Sequence, residues 1–598
     1  MNIFTIIGHR LVFIALPAAL LIQGVTAPAA QTEPTPTPPP PPESTTEPSP
    51  AAASLTPSPS PTFAPPGDIR FGVIESFEDP AAASRLGAAW TRARFQWADV
   101  QPDAPEDWQP PLDDEALDVE LDAGREVVGL LIGIPDWARD RRGLPRGLSL
   151  PPDDPDNTWA VFVDDVVSRY AGRIDRWIIW NEPDIDDVDA PGHTWDGTIE
   201  EFFQLQRTAY LAAKAANPDA IIHLGAFTFF WDAGYFARFL DIVAADPDAV
   251  ANNYYFDVAT AHLYFQPNTI YNVLYAFRRV MDVRGLDQPL WLVETNAPPM
   301  DDPYWEVDNW TLAVSLNEQA AFIPQAIAAA LSAGAERVSV YKLKDTAGDR
   351  AANPEPFGLL RWDNSRRPAF DTYRVAIRLL GGVTAAERER WDAVAQVRLA
   401  QDGRTTTVLF ARLPAAQEAI VPATADTAEL VDMWGKGETI EAEDGVFTVE
   451  LPGALCLQTI ADYCMIGGTT YYLIQEDDGR PPVATSNPET GTTGFTPTAR
   501  VSPSPRATST AQPTATERPS ETVQPLSTPF PTATPAPAHT DTPAPSATPR
   551  PEPSPVEASG GEPVEATGFI GLVVMGAGLL LAMGLAFWWL AARRRPDK

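Results

Sequence analysis

Two glutamates stand out by the sequence around them. Glu182 lies in "RIDRWIIWNEPD" (173–184), where a run with strong strand preference meets Asn181, Glu182 and Pro183. Glu294 closes the apolar run "LWLVETN" (290–296) and is followed closely by Asn296. A lone glutamate at a strand end is commonly a rim ion pair. Two of them, each ending an apolar strand and each near an asparagine, form a pattern that asks for chemistry. In one cleft, about 5 Å apart, one carboxyl can donate and recover a proton while the other attacks as a nucleophile. That division of labour is what displacement with retention at a glycosidic carbon requires. Pro183 fixes its own φ and restricts Glu182, which should help to aim that carboxyl.

The elements that must bring them together repeat along the chain. Strand-like runs fall at 69–74, 89–95, 126–134, 176–180, 221–227, 258–264, 290–294 and 337–343, with amphipathic helical patterns between them. The alternation predicts an α/β fold, a (β/α)8 TIM barrel over 67–384. A doubly wound open sheet is the structural alternative, weakened because no glycine-rich phosphate loop follows the first strand. In a barrel, strands four and seven lie across the mouth from one another, and active sites sit at the C-terminal strand ends. Glu182 and Glu294 are both at such ends. After Gly381 the pattern changes to alternating runs around Asp402-Gly403 and Asp444-Gly445, two hairpin signals. Residues 385–476 are therefore expected to form a small all-β, sandwich-like domain.

Strand two carries Arg92 and Arg94 on one face, and one of them should face Glu294 and hold it ionised. Aromatic residues crowd the strand ends, among them Trp137, Phe230, Trp231 and Trp305. Sugar C–H faces stack on such rings, and Trp137 is the best placed to act as a platform.

"WNEP" on strand four, "HLY" on strand six and "VETN" on strand seven, in that order, resemble the retaining glycoside hydrolases of clan A. This TIM-barrel superfamily includes cellulases, β-xylosidases and β-mannanases. "YKLKD" and "FGLLRWD" downstream are more loosely similar to β-xylosidases and α-L-iduronidases. The resemblance implies Glu182 as acid/base and Glu294 as nucleophile. It implies Asn181 on the sugar 2-hydroxyl, Arg92 beside the nucleophile, Tyr264 hydrogen-bonded to it and His262 lining the sugar subsite. Asn296 joins this substrate-binding set through its place beside Glu294. No metal or other cofactor is expected. The chain departs from the family on strand eight, where "VSVYKLKD" puts Tyr341 or Lys342 in place of a frequent tryptophan. A lysine there would favour a substrate bearing a carboxylate. The acidic loop "DIDDVD" (184–189) reads as a solvated loop, because it lacks the glycine and distal glutamate of a known Ca²⁺ loop.

The rest of the 598 residues organise around this head. Residues 1–30 read as a signal peptide. Residues 31–66 and 477–567 are Pro/Thr/Ser-rich, a linker and a stalk with no periodic apolar pattern. "GFIGLVVMGAGLLLAMGLAFWWLAA" (568–592) has the length and composition of a transmembrane helix, and the basic tail 593–598 is expected to be cytoplasmic. The expected location is the cell membrane, single-pass, with the head extracellular. A net charge of −37 argues against nucleic acid as a partner. The only cysteines, Cys456 and Cys464, suit a local disulfide in an exported domain. Two functions fit this organisation: a cell-surface retaining glycosidase acting on an oligo- or polysaccharide, and a catalytically silent barrel serving as a stalked carbohydrate-binding or adhesion module. Having both carboxylates, the asparagine and the arginine favours the enzyme, since a silent binder is free to lose any of them.

Overall fold

The computed structural model describes residues 66–476, apart from 189, 191, 309, 353 and 354. The expected signal peptide, the 477–567 stalk, the 568–592 membrane helix, the 593–598 tail and nearly all of the 31–66 linker lie outside these residues. Among the described residues no helix is long and apolar enough to cross a membrane.

Eight parallel strands form the first sheet: β1 (Phe71–Val73), β2 (Trp90–Gln96), β3 (Glu126–Ile132), β4 (Arg176–Asn181), β5 (Ile221–Ala226), β6 (Ala259–His262), β7 (Leu290–Thr295) and β8 (Ala335–Val340). Their order is β5-β4-β3-β2-β1-β8-β7-β6, and bridges from His223 to Val258 and from Phe227 to Ala261 close β5 onto β6. This is the expected barrel, and its closure rules out the open doubly wound sheet. Strands covered by helices outside and side chains inside must be apolar nearly throughout, and every residue of β7 is buried. At the strand beginnings, Glu126 is ion-paired with Arg176 and Arg337. Arg337 lies 4.2 Å and Arg176 5.2 Å from the centre of the Trp291 ring, so this end of the barrel is plugged by aromatic and paired charged groups.

A second domain starts at Val383, two residues before the expected boundary at 385. Its strands are β9 (Val383–Trp391), β10 (Val394–Gln401), β11 (Arg404–Ala411), β12 (Gln417–Pro422), β13 (Thr427–Asp432), β14 (Gly437–Glu441), β15 (Val446–Leu451), β16 (Thr459–Ile460), β17 (Tyr463–Cys464) and β18 (Tyr471–Glu476). Six make one sheet in the order β14-β13-β18-β11-β10-β9, and β12 pairs with β15. Alternation on β11 assigns the faces. Val408 and Phe410 join the core of the barrel, whereas Leu409 and Ala411 join a separate core with Phe447, Val449 and Leu451. The six-stranded sheet is thus buried on both sides, against the barrel and against the β12–β15 pair. Cys456 and Cys464 are joined by the expected disulfide.

The two glycine turns behave differently. Asp402-Gly403 closes the expected hairpin, with Gln401 opposite Arg404. Asp444-Gly445 reverses the chain, with Glu443 bridged to Val446, but the hairpin stops there. β14 pairs with β13 and β15 with β12, so this turn carries the chain from one sheet to the other. Turn chemistry fixes the reversal. Burial of Phe447, Val449 and Leu451 decides which strand each arm joins.

The helix Leu316–Ser332 sits where the domains meet and is buried without a break from Glu318 to Leu331. A helix enclosed on all sides cannot present a polar face, and here six alanines keep it narrow enough to pack twice. Two of its polar side chains reach the β domain. Gln325 donates to Gly468 O at 2.9 Å and accepts from Gly467 N at 2.9 Å, and Glu318 accepts from Leu457 N at 3.1 Å. Gln325→Ala leaves two buried backbone groups without partners, and unsatisfied groups of this kind cost about 1–3 kcal/mol each. The variant is expected to lose about 3 kcal/mol in a urea titration; a loss below about 0.5 kcal/mol would mean that these bonds do not hold the domains together.

Candidate active site

Glu182 follows β4 and Glu294 lies near the end of β7, and the barrel brings them together. One oxygen of each carboxyl and a ring nitrogen of His262, the last residue of β6, lie within 4.8 Å of one another. All three are buried, with Glu182 wholly out of solvent and Glu294 at 5 % exposure. Two carboxylates this close cannot both ionise cheaply in a dry site, so their surroundings must choose between them.

The choice is visible in the contacts. Arg92 Nη2 lies 2.5 Å from Glu294 Oε1, and the Tyr264 hydroxyl donates to Glu294 Oε2. Burial pushes the Glu294 carboxyl up, but Arg92, His262 and the Tyr264 hydrogen bond outweigh it and hold the group below its ordinary value. For Glu182 burial dominates and raises the carboxyl above its ordinary value, although His262 opposes this. His262 Nδ1 is 2.9 Å from Glu182 Oε1 and 3.6 Å from Glu294 Oε2, so it spans the pair. Glu182 Oε2 and His262 Nε2 have no hydrogen-bond partner among the described residues. These surroundings therefore favour the proton on Glu182 and the charge on Glu294. By donor type Glu182, His262 and Glu294 would also suit a divalent cation. Arg92 already neutralises Glu294 at contact distance, which works against a second positive charge there.

The mount of Glu182 differs from what Pro183 alone suggests. A residue before proline prefers extended backbone, yet Glu182 has φ 48° and Trp180 has φ 71°, both left-handed. Non-glycine residues in this region cost about 1–2 kcal/mol each, so the end of β4 is strained. Tertiary bonds hold it: Glu182 N donates to Ala226 O at 2.9 Å, and Thr194 Oγ1 donates to Asn181 O. Asp184 completes the clamp. It is buried and accepts from Thr228 N at 2.9 Å, Phe229 N at 2.8 Å and Thr228 Oγ1 at 3.0 Å, tying the segment after β4 to the one after β5. Nothing in the sequence pattern separated Asp184 from the solvated acids that follow it. Only its burial does.

The remaining candidates fall in several places. Of the two strand-two arginines, Arg92 meets Glu294, while Arg94 is exposed and donates to Gln96 Oε1 at 2.9 Å. Asn181 is half-buried at the last position of β4. Asn296 is fully buried. Its Nδ2 donates to Tyr341 O at 2.6 Å and Phe357 O at 2.7 Å, and its Oδ1 accepts from Ala297 N, so it ties β7 to the segments after β8. Trp137 sits half-buried on the turn Asp136–Ala138 after β3, with Nε1 donating to Gln101 O at 2.8 Å. Trp305 and Phe230 are buried and anchor their loops. Lys342 does not offer a free charge to a ligand, as the strand-eight departure suggested. Its Nζ lies 2.7 Å from Glu75 Oε2 and 2.8 Å from Asp349 Oδ2. Tyr341 packs edge-on against Phe357.

No protein-family model matches the sequence, and no curated protein matches it. Solved structures do. The chain is similar in fold to a family 39 glycoside hydrolase from the gut symbiont Bacteroides cellulosilyticus WH2, at 16% identity and a TM-score of 0.52, over 69% of this chain and 81% of that one. A glucosidase from Croceicoccus marinus (15% identity, 69% and 97% covered) and a monomeric β-xylosidase from Caulobacter crescentus (14%, 69% and 98%) match at a TM-score of 0.44 each. The last two are too loose to argue from, and the first is a likeness of fold: the barrel expected from the resemblance to clan A.

Asp184 gives a pH test of the clamp. Burial pushes its carboxyl up to about 7 against the bonds it accepts. A carboxyl raised in the native state favours folding below its unfolded value near 4, and that contribution is lost as pH rises towards 7. Asp184→Asn is expected to remove this part of the decline, so its urea midpoint relative to the parent rises between pH 4.5 and pH 7.5. A constant offset between the two proteins would show that Asp184 is ionised throughout.

Proposed function

We propose that this chain is a cell-surface retaining glycoside hydrolase that cleaves glycosidic bonds of an oligo- or polysaccharide by double displacement. One observation carries the reading: two buried carboxyls with oxygens within 4.8 Å, one favoured neutral and the other held ionised by Arg92. A separation near 5 Å leaves no room for a water between carboxylate and sugar, which suits a nucleophile rather than a general base.

The steps follow from the two protonation states. Glu182 gives its proton to the glycosidic oxygen as the bond breaks, and Glu294 attacks the anomeric carbon from the opposite face, forming a glycosyl ester. Glu182, now a carboxylate, takes a proton from the incoming water. The water opens the ester, Glu294 leaves as an anion, and the sugar departs with its configuration retained. Arg92 and Tyr264 orient Glu294 and bear its returning charge. His262, in contact with Glu182, steadies that carboxyl through both of its states. Asn181 binds the 2-hydroxyl, where a hydrogen bond strengthens in the oxocarbenium-like transition state. Trp137 offers a ring face to the sugar. Attachment to a cell membrane rests on the sequence of 568–592. The silent-barrel alternative has to explain why the acid, the nucleophile and the arginine are all kept in working geometry. Transglycosylation uses the same residues with a different acceptor.

The full chain, assayed on a panel of polysaccharides and aryl glycosides, is expected to release sugar with retained anomeric configuration by NMR. Glu294→Ala should abolish turnover and Glu182→Ala should lower it about 10²–10⁴-fold. Activity should fall at low pH as Glu294 is protonated and at high pH as Glu182 loses its proton, giving a bell. Saturable glycan binding without turnover would replace the enzyme by the silent module, and an inverted product would overturn the mechanism.

A further inference from the structure

The junction of the barrel and the β domain holds a second recess whose lining includes Gln266, Asn268, Trp391, Arg412 and Tyr463. None of the catalytic residues lines it, and neither does any aspartate or glutamate. We propose that this recess is a binding site for one small monovalent anion, held by the Arg412 guanidinium with the indole N–H of Trp391 and the carboxamide N–H of Gln266. The inference does not depend on the glycosidase reading.

Charge is the first argument. Arg412 is 7 % exposed, and its Cζ lies 4.1 Å from the ring centre of Tyr463 and 5.1 Å from that of Trp391. Arg388 leans on the same indole from 5.2 Å and covers Tyr271 at 3.3 Å. Two cations therefore share one tryptophan with no carboxylate in the recess. The nearest acid acting on Arg412, Asp392, is committed to Arg390 at 2.8 Å. Aromatic faces return part of the cost of burying a guanidinium, but a buried charge without an opposite charge stays expensive. Burial and the neighbouring Arg388 bring Arg412 down to about 10.

Donor geometry is the second. Arg412 Nη1 spends its hydrogens on Trp391 O at 2.5 Å and Asp392 O at 2.9 Å, which fixes the guanidinium plane. Trp391 Nε1 and Gln266 Nε2 are buried and have no acceptor among the described residues. The two carboxamide ends of Gln325, which also line the recess, are already used on Gly467 and Gly468. What remains unmet is a set of donors around a cation, the complement of an anion. Size selects the class. The recess is larger than the site of one water, which takes about 10–15 Å³, and a halide or a short carboxylate fits it.

An anion bound here joins the two domains, because Gln266 belongs to the barrel and Trp391 and Arg412 to the β domain. Thermal unfolding of the full chain should read it directly, with chloride, bromide or acetate exchanged for bulky gluconate at constant ionic strength. The melting temperature is expected to rise saturably with at least one of the three. Trp391→Phe keeps the ring and removes the donor, and should raise the half-saturating concentration about tenfold. Arg412→Gln should abolish the response. Crystals of the chain grown in bromide should show an anomalous peak within hydrogen-bonding distance of Arg412. Equal melting temperatures in all salts, a response unchanged in Trp391→Phe, or no bromide peak at a saturating concentration would each overturn the site and leave water as its occupant.

Discussion

Everything chemical in this molecule depends on the burial of two carboxyls so close together that only one is readily ionised. Like charges a few ångströms apart in a medium of low dielectric repel by several kcal/mol even when the protein responds generously. The fold meets this constraint by asymmetry. Arg92 and Tyr264 are in direct contact with Glu294, whereas Glu182 is touched by His262 and feels Arg92 only through space. The two carboxyls are thus distinguished by their neighbours, since the side chains differ in nothing else.

Holding that asymmetry takes precision at the strand ends. Short parallel strands buried on both faces make stiff mounts, and β7 carries Glu294 with no left-handed residue, although its register against β6 and β8 shifts there. β4 differs. Its last turn carries two left-handed residues around Asn181, a conformation that would relax if it were free. The bond from Glu182 N to Ala226 O and the clamp of Asp184 on Thr228 and Phe229 keep it in place. On the far side, the Lys342 pairs with Glu75 and Asp349 bind the end of β8 to the end of β1, close to Tyr341. The stretch singled out at the start is thus less a rigid strand carrying a proton donor than a strained bend held by its neighbours.

The β domain contributes by enclosing the barrel helix Leu316–Ser332. That helix packs in the barrel core and hydrogen-bonds to the β domain, so the barrel wall behind β7 and β8 cannot loosen without disturbing the sheet. This accounts for its run of alanines, which a free amphipathic helix would not need. It also brings Arg388 of β9 and Arg412, just after β11, against aromatic side chains at the junction, in a recess lined by no aspartate or glutamate.

Much of this could be read from the sequence. The eight strand positions, the barrel, the pairing of Glu182 with Glu294, the disulfide and the first hairpin all follow from local pattern, because hydrophobic period, turn residues and strand-end position are properties of short segments. Other features depended on where distant segments come to rest. Arg92 and Arg94 share a strand face and read alike, and only depth in the barrel separates the one that meets Glu294 from the exposed one. Asp184 and the acids after it form one acidic run, and only burial makes the first a clamp. Asp444-Gly445 carries the same signal as Asp402-Gly403, yet its arms enter different sheets. Lys342 looked available until Glu75, 267 residues away, took its charge. Local chemistry is written in the order of residues. Which charges are buried, and beside what, is a long-range property that the chain decides only on folding.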